Sequence, residues 1–286
     1  MSSVSVHRTS AHRSSAHRTL PLRTELERQL RRRRTHVAIG FLAVLPGILA
    51  IAFAIGQSNA DSGATDLIEL ATRGGLNFTV FCLLMSVGFL LIVVVALFFG
   101  DAVASEASWS SLRYLLAVPV PRSRLLRQKA LVSALLSVAG LVVLVASALA
   151  LGTLLYGSDA LMNPFGDSLP FGTALGRLLI ALVYIAINLT WIAGLALLLS
   201  VVTDAPLGAV GGTVMVSILV QILDQITALG SLRDYLPGHF SSGWTRAFTP
   251  TIDWHDIAVG SFSALAYASV FGVAAWMVFY RKDITS

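Results

Sequence analysis

The chain has 286 residues, of which 56% are hydrophobic and only 12% charged, with a mean hydropathy of +0.78. Soluble domains are about 45–50% apolar and about 25% charged, so this composition excludes a soluble enzyme, a disordered protein and a free nucleic-acid-binding domain. The formal charge of +5 therefore has to be read from where the charges lie, and the single cysteine, Cys82 in an apolar run, leaves no disulfide framework and no cysteine metal site.

In chain order, residues 1–19 are low in complexity. His7-Arg8, His12-Arg13 and His17-Arg18 recur every five residues among Ser, Thr and Ala, which reads as a disordered basic tail able to touch anionic headgroups. Residues 20–36 follow a different pattern. Leu22, Leu26 and Leu30 are four apart with Glu25, Glu27, Arg28 and Arg31 to Arg34 around them, the stripe of an amphipathic helix lying in the membrane interface.

Crossing a bilayer takes about 20 consecutive apolar residues. Six stretches qualify: 37–56, 76–99, 130–156, 178–201, 207–229 and 257–280, and Asp224 is the one charged residue inside them. Backbone groups in lipid must be satisfied within the segment, so these are helices. Runs such as Leu90 to Val95 do not alternate as barrel strands would. The first apolar run is longer than the core of a cleavable export signal and is expected to stay as a span. The fold class is thus all-α, a polytopic membrane protein with six transmembrane helices. An even number of crossings puts both termini on one side. That side carries sixteen of the 20 Lys and Arg residues, and the other carries Arg73, Arg177, Arg233 and Arg246. The bias makes the N- and C-termini cytoplasmic, in a cell inner or plasma membrane.

Between the spans, loop 57–75 is mildly acidic, loop 157–177 holds Asn-Pro and Leu-Pro turn signals, and 202–206 joins spans four and five tightly. Loop 230–256 mixes polar residues with Tyr235, Phe240, Trp244, Phe248 and Trp254, as interfacial segments do. His239, Asp253, His255 and Asp256 are its nearest approach to a metal cluster, and they read as a solvated boundary loop. Polar groups inside spans are costly and mark candidate pathway residues. Asn188 lies mid-span. Gln221 and Asp224 share an arc of span five, with Asp224 toward its outer end. Both also have structural readings, an interhelical hydrogen bond for Asn188 and a water-reaching carboxylate for Asp224.

The largest inner loop, 100–129, places Trp109, Leu112 and Leu116 on one helical stripe and Glu106, Ser110 and Arg113 on another. Pro119 and Pro121 end that pattern, and Arg122, Arg124, Arg127 and Lys129 lead into span three.

The run Glu-x(5)-Leu-Arg-x-Leu-Leu, then Val-Pro-Val-Pro-Arg, then Leu-Leu-x-x-Lys before an apolar helix resembles the ABC-2 type transporter permeases, the membrane subunits of ATP-driven exporters. The likeness extends to the six spans, the helix before span one, the stretch from Leu236-Pro237-Gly238-His239 through Trp244 to Trp254, and the ending Phe279-Tyr280-Arg281-Lys282-Asp283-Ile284. Where family members carry Gly-Thr after the Glu, this chain has Ser110-Ser111. The resemblance implies an ABC-2 type exporter fold, with a coupling helix at about 104–117 that meets a separate ATP-binding subunit through Glu106, Trp109, Leu112, Arg113, Leu116 and Arg122. It implies a second permease copy, identical or homologous. It also implies a hydrophobic or amphipathic substrate such as a drug, antibiotic or lipid.

No G-x-x-x-x-G-K-[ST] phosphate loop is present, since the two lysines, Lys129 and Lys282, follow no glycine. The chain is therefore expected to be no enzyme and to bind no cofactor itself, with ATP and Mg on the partner subunit. The competing readings are a proton-coupled secondary transporter, which would show paired intramembrane charges or inverted repeats, and a non-transporting scaffold or immunity protein on the same fold.

Overall fold

Hydrophobic stretches with almost no internal charge become long helices, and these organise the molecule. The computed structural model describes residues 22–56, 65–108, 122–162 and 168–281. Helix α1 (Leu22–Leu30) is followed by a tight turn and by α2 (Arg33–Gly56). A short α3 (Thr65–Thr72) leads into α4 (Gly75–Val87) and α5 (Leu90–Ser108), and α6 (Arg122–Tyr156) is the longest helix at 35 residues. Two short strands, β1 (Leu161–Met162) and β2 (Ser168–Leu169), pair antiparallel. Helices α7 (Phe171–Asn188) and α8 (Thr190–Val202) run on nearly in line, and Pro206 opens α9 (Pro206–Gln225). Two 3₁₀ helices, Thr227–Tyr235 and His239–Phe248, precede α10 (Trp254–Arg281).

Five of these units are long and apolar enough to cross a membrane, and six if α4 and α5 form one bent span. The molecule is an all-α polytopic membrane protein. The α7–α8 unit is its spine: 61% of its most apolar stretch is buried, against 17–33% in the other four spans. Helices α5, α9 and α10 pack around α8, while α2 and α4 pack on α6. A main core built on Leu76, Phe98, Leu144, Tyr184, Ile192 and Trp244 fills the space between them. A satellite cluster sits beneath α3, where Phe53 meets Phe78 and Phe81 edge-on at 6.1 and 5.0 Å. Outward faces carry large apolar side chains such as Val37, Ile51, Leu179, Met215, Phe262 and Val270, as lipid contact requires.

Several expected boundaries move. Span two is not one straight helix. It breaks at Gly88–Phe89 with a 55° bend between α4 and α5. Glycine kinks and side-chain back-bonding are ordinary causes of such a break, and here Ser86 Oγ donates to Cys82 O at 2.6 Å just before Gly88. Span three begins at Arg122 rather than 130, and span four at Phe171 rather than 178. Span five ends at Gln225, and 226–229 already turn away. The helix expected over 20–36 breaks at Arg31–Arg32. Loop 157–177 contains the β-hairpin.

Close backbone approach is built from glycine at one crossing. A Cβ on Gly75 would sit 2.5 Å from Thr153 N, and one on Gly152 would sit 2.7 Å from Gly75 O. Helices α4 and α6 therefore touch backbone to backbone, the small-residue packing that lets membrane helices associate without a hydrophobic driving force.

Candidate functional site

At the face where the described chain begins and ends, buried charge ties four helices together. Asp101 of α5 is buried and accepts from Arg32 Nη1 at 2.8 Å, and Arg34 Nη1 donates to its other oxygen. Burial pulls the Arg32 guanidinium below the ordinary arginine value, with Asp101 pulling the other way. Glu25 of α1, also buried, accepts from Arg28 at 2.8 Å and lies 3.9 Å from Lys129 Nζ of α6. Burial alone pushes the Glu25 carboxyl up, but Lys129, Arg28 and Gln29 outweigh it and hold it below its ordinary value. Thr35 Oγ1 donates to Gln29 O at 2.8 Å across the α1–α2 turn. Ser133 Oγ donates to Phe98 O at 2.9 Å, and Ser200 Oγ accepts from the amides of Val103 and Ala104. Thus α1 is fastened to α6, and the α1–α2 turn with the start of α2 to α5, the two helices whose ends flank residues 109–121.

The predicted interface helix is α1, and its three leucines divide. Leu22 and Leu30 are each 40% exposed, while Leu26 packs on the core. Of the coupling residues, Glu106 lies in the last turn of α5 and Arg122 is the first residue of α6. Residues 104–108 continue α5 without a break, so the stretch 104–117 does not start as a separate helix. Trp109, Leu112, Arg113 and Leu116 lie outside the described residues, as do the tail 1–19 and the ending from Lys282.

Two of the three pathway candidates, Asn188 and Gln221, meet at one seam. Gln221 Nε2 donates to Gly88 O at 2.9 Å, at the break between α4 and α5. Asn188, at the junction of α7 and α8, is buried, and its Nδ2 has no hydrogen-bond partner among the described residues. Asn188, Gln221, Gly88, Gly238 and Ser241 line a common cavity of about 30 Å³. At 1.5 Å per residue, Asn188 stands about 21 Å of helix above Val202 and Gln221 about 22 Å above Pro206, so they share a depth. Asp224 does not line that cavity. It lies one turn further along α9, where its carboxylate meets His239 Nδ1 at 2.5 Å, and His239 Nε2 lies 3.4 Å from Asp234. One bent helix pair, the α7–α8 junction and one polar helix face thus meet at one level, beneath the 3₁₀ segments.

Those segments are held by groups that sequence patterning did not single out. Tyr184 OH donates to Phe240 O at 2.5 Å, and Cβ atoms on Gly243 and Gly260 would fall 2.4 and 2.1 Å from that hydroxyl. Arg177 donates to the carbonyls of Ala247, Thr249 and Pro250. Asp253, one of the acidic residues considered for metal, instead caps α10, its Oδ1 accepting from the amides of His255 and Asp256. Asp256 pairs with Arg246 at 3.4 Å, so the His–Asp group of this loop is dispersed. Among the described residues no three His, Cys, Asp or Glu side chains are grouped to hold a metal.

No curated protein matches the chain significantly. A profile described as ABC-2 family transporter protein matches residues 22–220, from α1 through most of α9. That match covers well over half the chain, and the all-α architecture with its five to six candidate spans agrees with it. The chain belongs to the ABC-2 family of transporter proteins, as a multi-pass membrane component of a transport system.

Proposed function

We propose that the chain is the permease subunit of an ATP-driven exporter in the cell inner or plasma membrane, with its termini in the cytoplasm. It acts with a second permease copy and with a separate ATP-binding subunit that carries ATP and Mg. Its cargo is a hydrophobic or amphipathic molecule, in the class of drugs, antibiotics or lipids. The observation that carries this reading is the charged network of Arg32, Arg34, Asp101, Glu25 and Lys129. It couples α1 to α6, and the turn after α1 to α5, the two helices that flank 109–121, the stretch whose motif resembles a coupling helix. A push on that loop then moves α1, α5 and α6 as one body, because packed helices shift as units rather than deform.

In this scheme Glu106 and Arg113 make the polar contacts to the ATP-binding subunit, and Trp109, Leu112 and Leu116 supply the apolar ones, with Arg122 at the margin. Leu22 and Leu30 turn toward the bilayer interface. Closure of the ATP-binding subunits rocks the spans, and the seam at Gly88, Asn188 and Gln221 is where α4–α5 has its break to absorb the motion. Asp224 with His239 stands at the outer end of that route.

The test is co-purification with the ATP-binding partner chain, comparing wild type with the Glu106→Ala/Arg113→Ala double variant. The expected result is loss of the complex, or at least a tenfold fall in substrate-stimulated ATP hydrolysis. Unchanged complex formation together with unchanged stimulation would sink the coupling assignment.

A further inference from the structure

A second, much larger cavity lies away from the charged network. It holds about 440 Å³ between α3, α4, the β-hairpin and the 3₁₀ helix His239–Phe248. Ligand pockets run from about 300 to 1,000 Å³, apolar with a few placed polar groups, and this one has that composition. Along α4 its wall is formed by Asn77, Val80, Phe81 and Leu84, spaced i, i+3, i+4 and i+7 on one helical face. The polar residue stands at the loop end of that stripe, and the apolar ones descend about 10 Å toward the bilayer centre at 1.5 Å per residue. Leu84 at the bottom is exposed on the lipid side.

The polar rim is supplied by Ser242, Thr245 and Arg246. Arg246 differs from the other arginines of this face. Arg177 places its Nη donors on three backbone carbonyls, Arg73 donates to Glu69 at 2.7 Å, and Arg233 donates to the carbonyls of Gly230 and Asp224. The Arg246 guanidinium is half-exposed, meets Asp256 through Nε at 3.4 Å, and makes no side-chain hydrogen bond among the described residues. An open guanidinium fork is the geometry that takes a carboxylate or phosphate with two parallel hydrogen bonds.

The walls are preformed. Asn77 holds the hairpin in place through two hydrogen bonds to the Met162 backbone, at 2.8 and 3.0 Å. Trp244 is fully buried behind the rim, edge-on to Phe248.

We propose that this cavity is a binding site for a single-chain anionic amphipath, one acyl chain bearing a carboxylate or phosphate head. The chain lies along the Val80–Phe81–Leu84 stripe and the head docks on Arg246. The size argues for one chain rather than two, and the polarity runs head-out and tail-in as an interfacial ligand requires. The site stands apart from the transport reading, because binding is measured without the ATP-binding subunit.

The test uses the full chain in uncharged-detergent micelles and a stearate carrying a photoactivatable diazirine in its alkyl chain. Saturable labelling is expected on peptides from α4 and from 239–249. Unlabelled stearate or a single-chain lysophosphatidate should compete at least tenfold better than stearylamine. Arg246→Gln should weaken stearate about tenfold and abolish its advantage over the amine. Asp256→Asn, which frees the guanidinium entirely, should shift stearate affinity in the opposite direction, so a folding defect in one variant does not mimic the result. Val80→Trp should cut labelling by filling the stripe. Unsaturable labelling spread over all lipid-facing helices, equal competition by stearate and stearylamine, or indifference to Arg246→Gln overturns the proposal. Equal competition by two-chain phosphatidylglycerol overturns the single-chain assignment.

Discussion

Replacing Asp101 with Asn tests whether the charged network fastens the α1–α2 turn to the spans. Asp101 is buried, and its 2.8 Å contact with Arg32 is a charged hydrogen bond on a guanidinium that is itself largely shielded. Such bonds contribute about 1.5–3 kcal/mol. The Arg34 contact adds less, because that side chain is 42% exposed and solvent screens it to under about 1 kcal/mol. Asn keeps one acceptor and the side-chain volume, so the expected loss is about 2 kcal/mol, a roughly 30-fold rise in the population with the α1–α2 turn released. Trypsin reads that population directly. The turn and first residues of α2 present Arg31, Arg32, Arg33 and Arg34, and cleavage of a segment that recloses quickly tracks its open fraction. Asp101→Asn in micelles should be cut in this stretch about 30-fold faster than wild type, and Arg34→Ala less than about fivefold faster. A rate within twofold of wild type for Asp101→Asn, or a larger effect from Arg34→Ala, would refute the reasoning.

Gly152→Val puts a branched side chain where even a Cβ meets Gly75 O at 2.7 Å, so the α4–α6 crossing has to separate; the expected cost is about 1–3 kcal/mol by thermal unfolding in micelles. Gly176→Ala, with nothing within 4 Å of its Cβ, should leave the midpoint unchanged or slightly higher. Glu25 has its carboxyl held below the ordinary value of 4.5 in the folded chain. Its contribution is therefore full above that ordinary value and is lost as pH falls through the lower folded one. Trypsin release of α1 should accelerate over that acidic window in wild type, and Glu25→Gln should flatten this dependence while being faster at neutral pH. A Glu25→Gln profile that follows wild type at every pH contradicts the assignment.

The all-α class and the six apolar crossings were legible because lipid imposes one strong rule, long uncharged runs. The break at Gly88 was not, since one glycine in a run from Leu76 to Phe99 leaves hydropathy unchanged, and its partner Gln221 lies 133 residues away. The backward extension of α6 to Arg122 was hidden for an electrostatic reason. Arg122, Arg124, Arg127 and Lys129 in the first turns oppose the helix dipole, so they read as loop. Contact with Glu25 of α1 is one compensation, and sequence patterning does not display it. Asp101 was counted with the loop 100–129 although it is a buried charge inside helix α5. Pairing Asp224 with His239 required knowing that the chain turns back at Ile226. Asn188 and Gln221 were visible as misplaced polar residues, whereas their shared depth emerged only from the packing. Tyr184, Arg177 and Asn77 bind backbone carbonyls or amides, and no residue pattern marks a main-chain partner.

The length of α6 has a mechanical consequence. Its 35 residues make a rod of about 52 Å, far longer than the roughly 30 Å of hydrocarbon it crosses. Near one end, Gly152 rests directly on the backbone of Gly75. That contact is a fulcrum, and about 45 Å of lever extends from it to Arg122. A tilt of about 10° there sweeps the Arg122 end through about 8 Å, the scale of rigid-body steps in switching proteins. Displacement is amplified at the charged face and damped at the glycine crossing, so α6 favours large movement where α1 is fastened and near-stillness beside the 440 Å³ cavity.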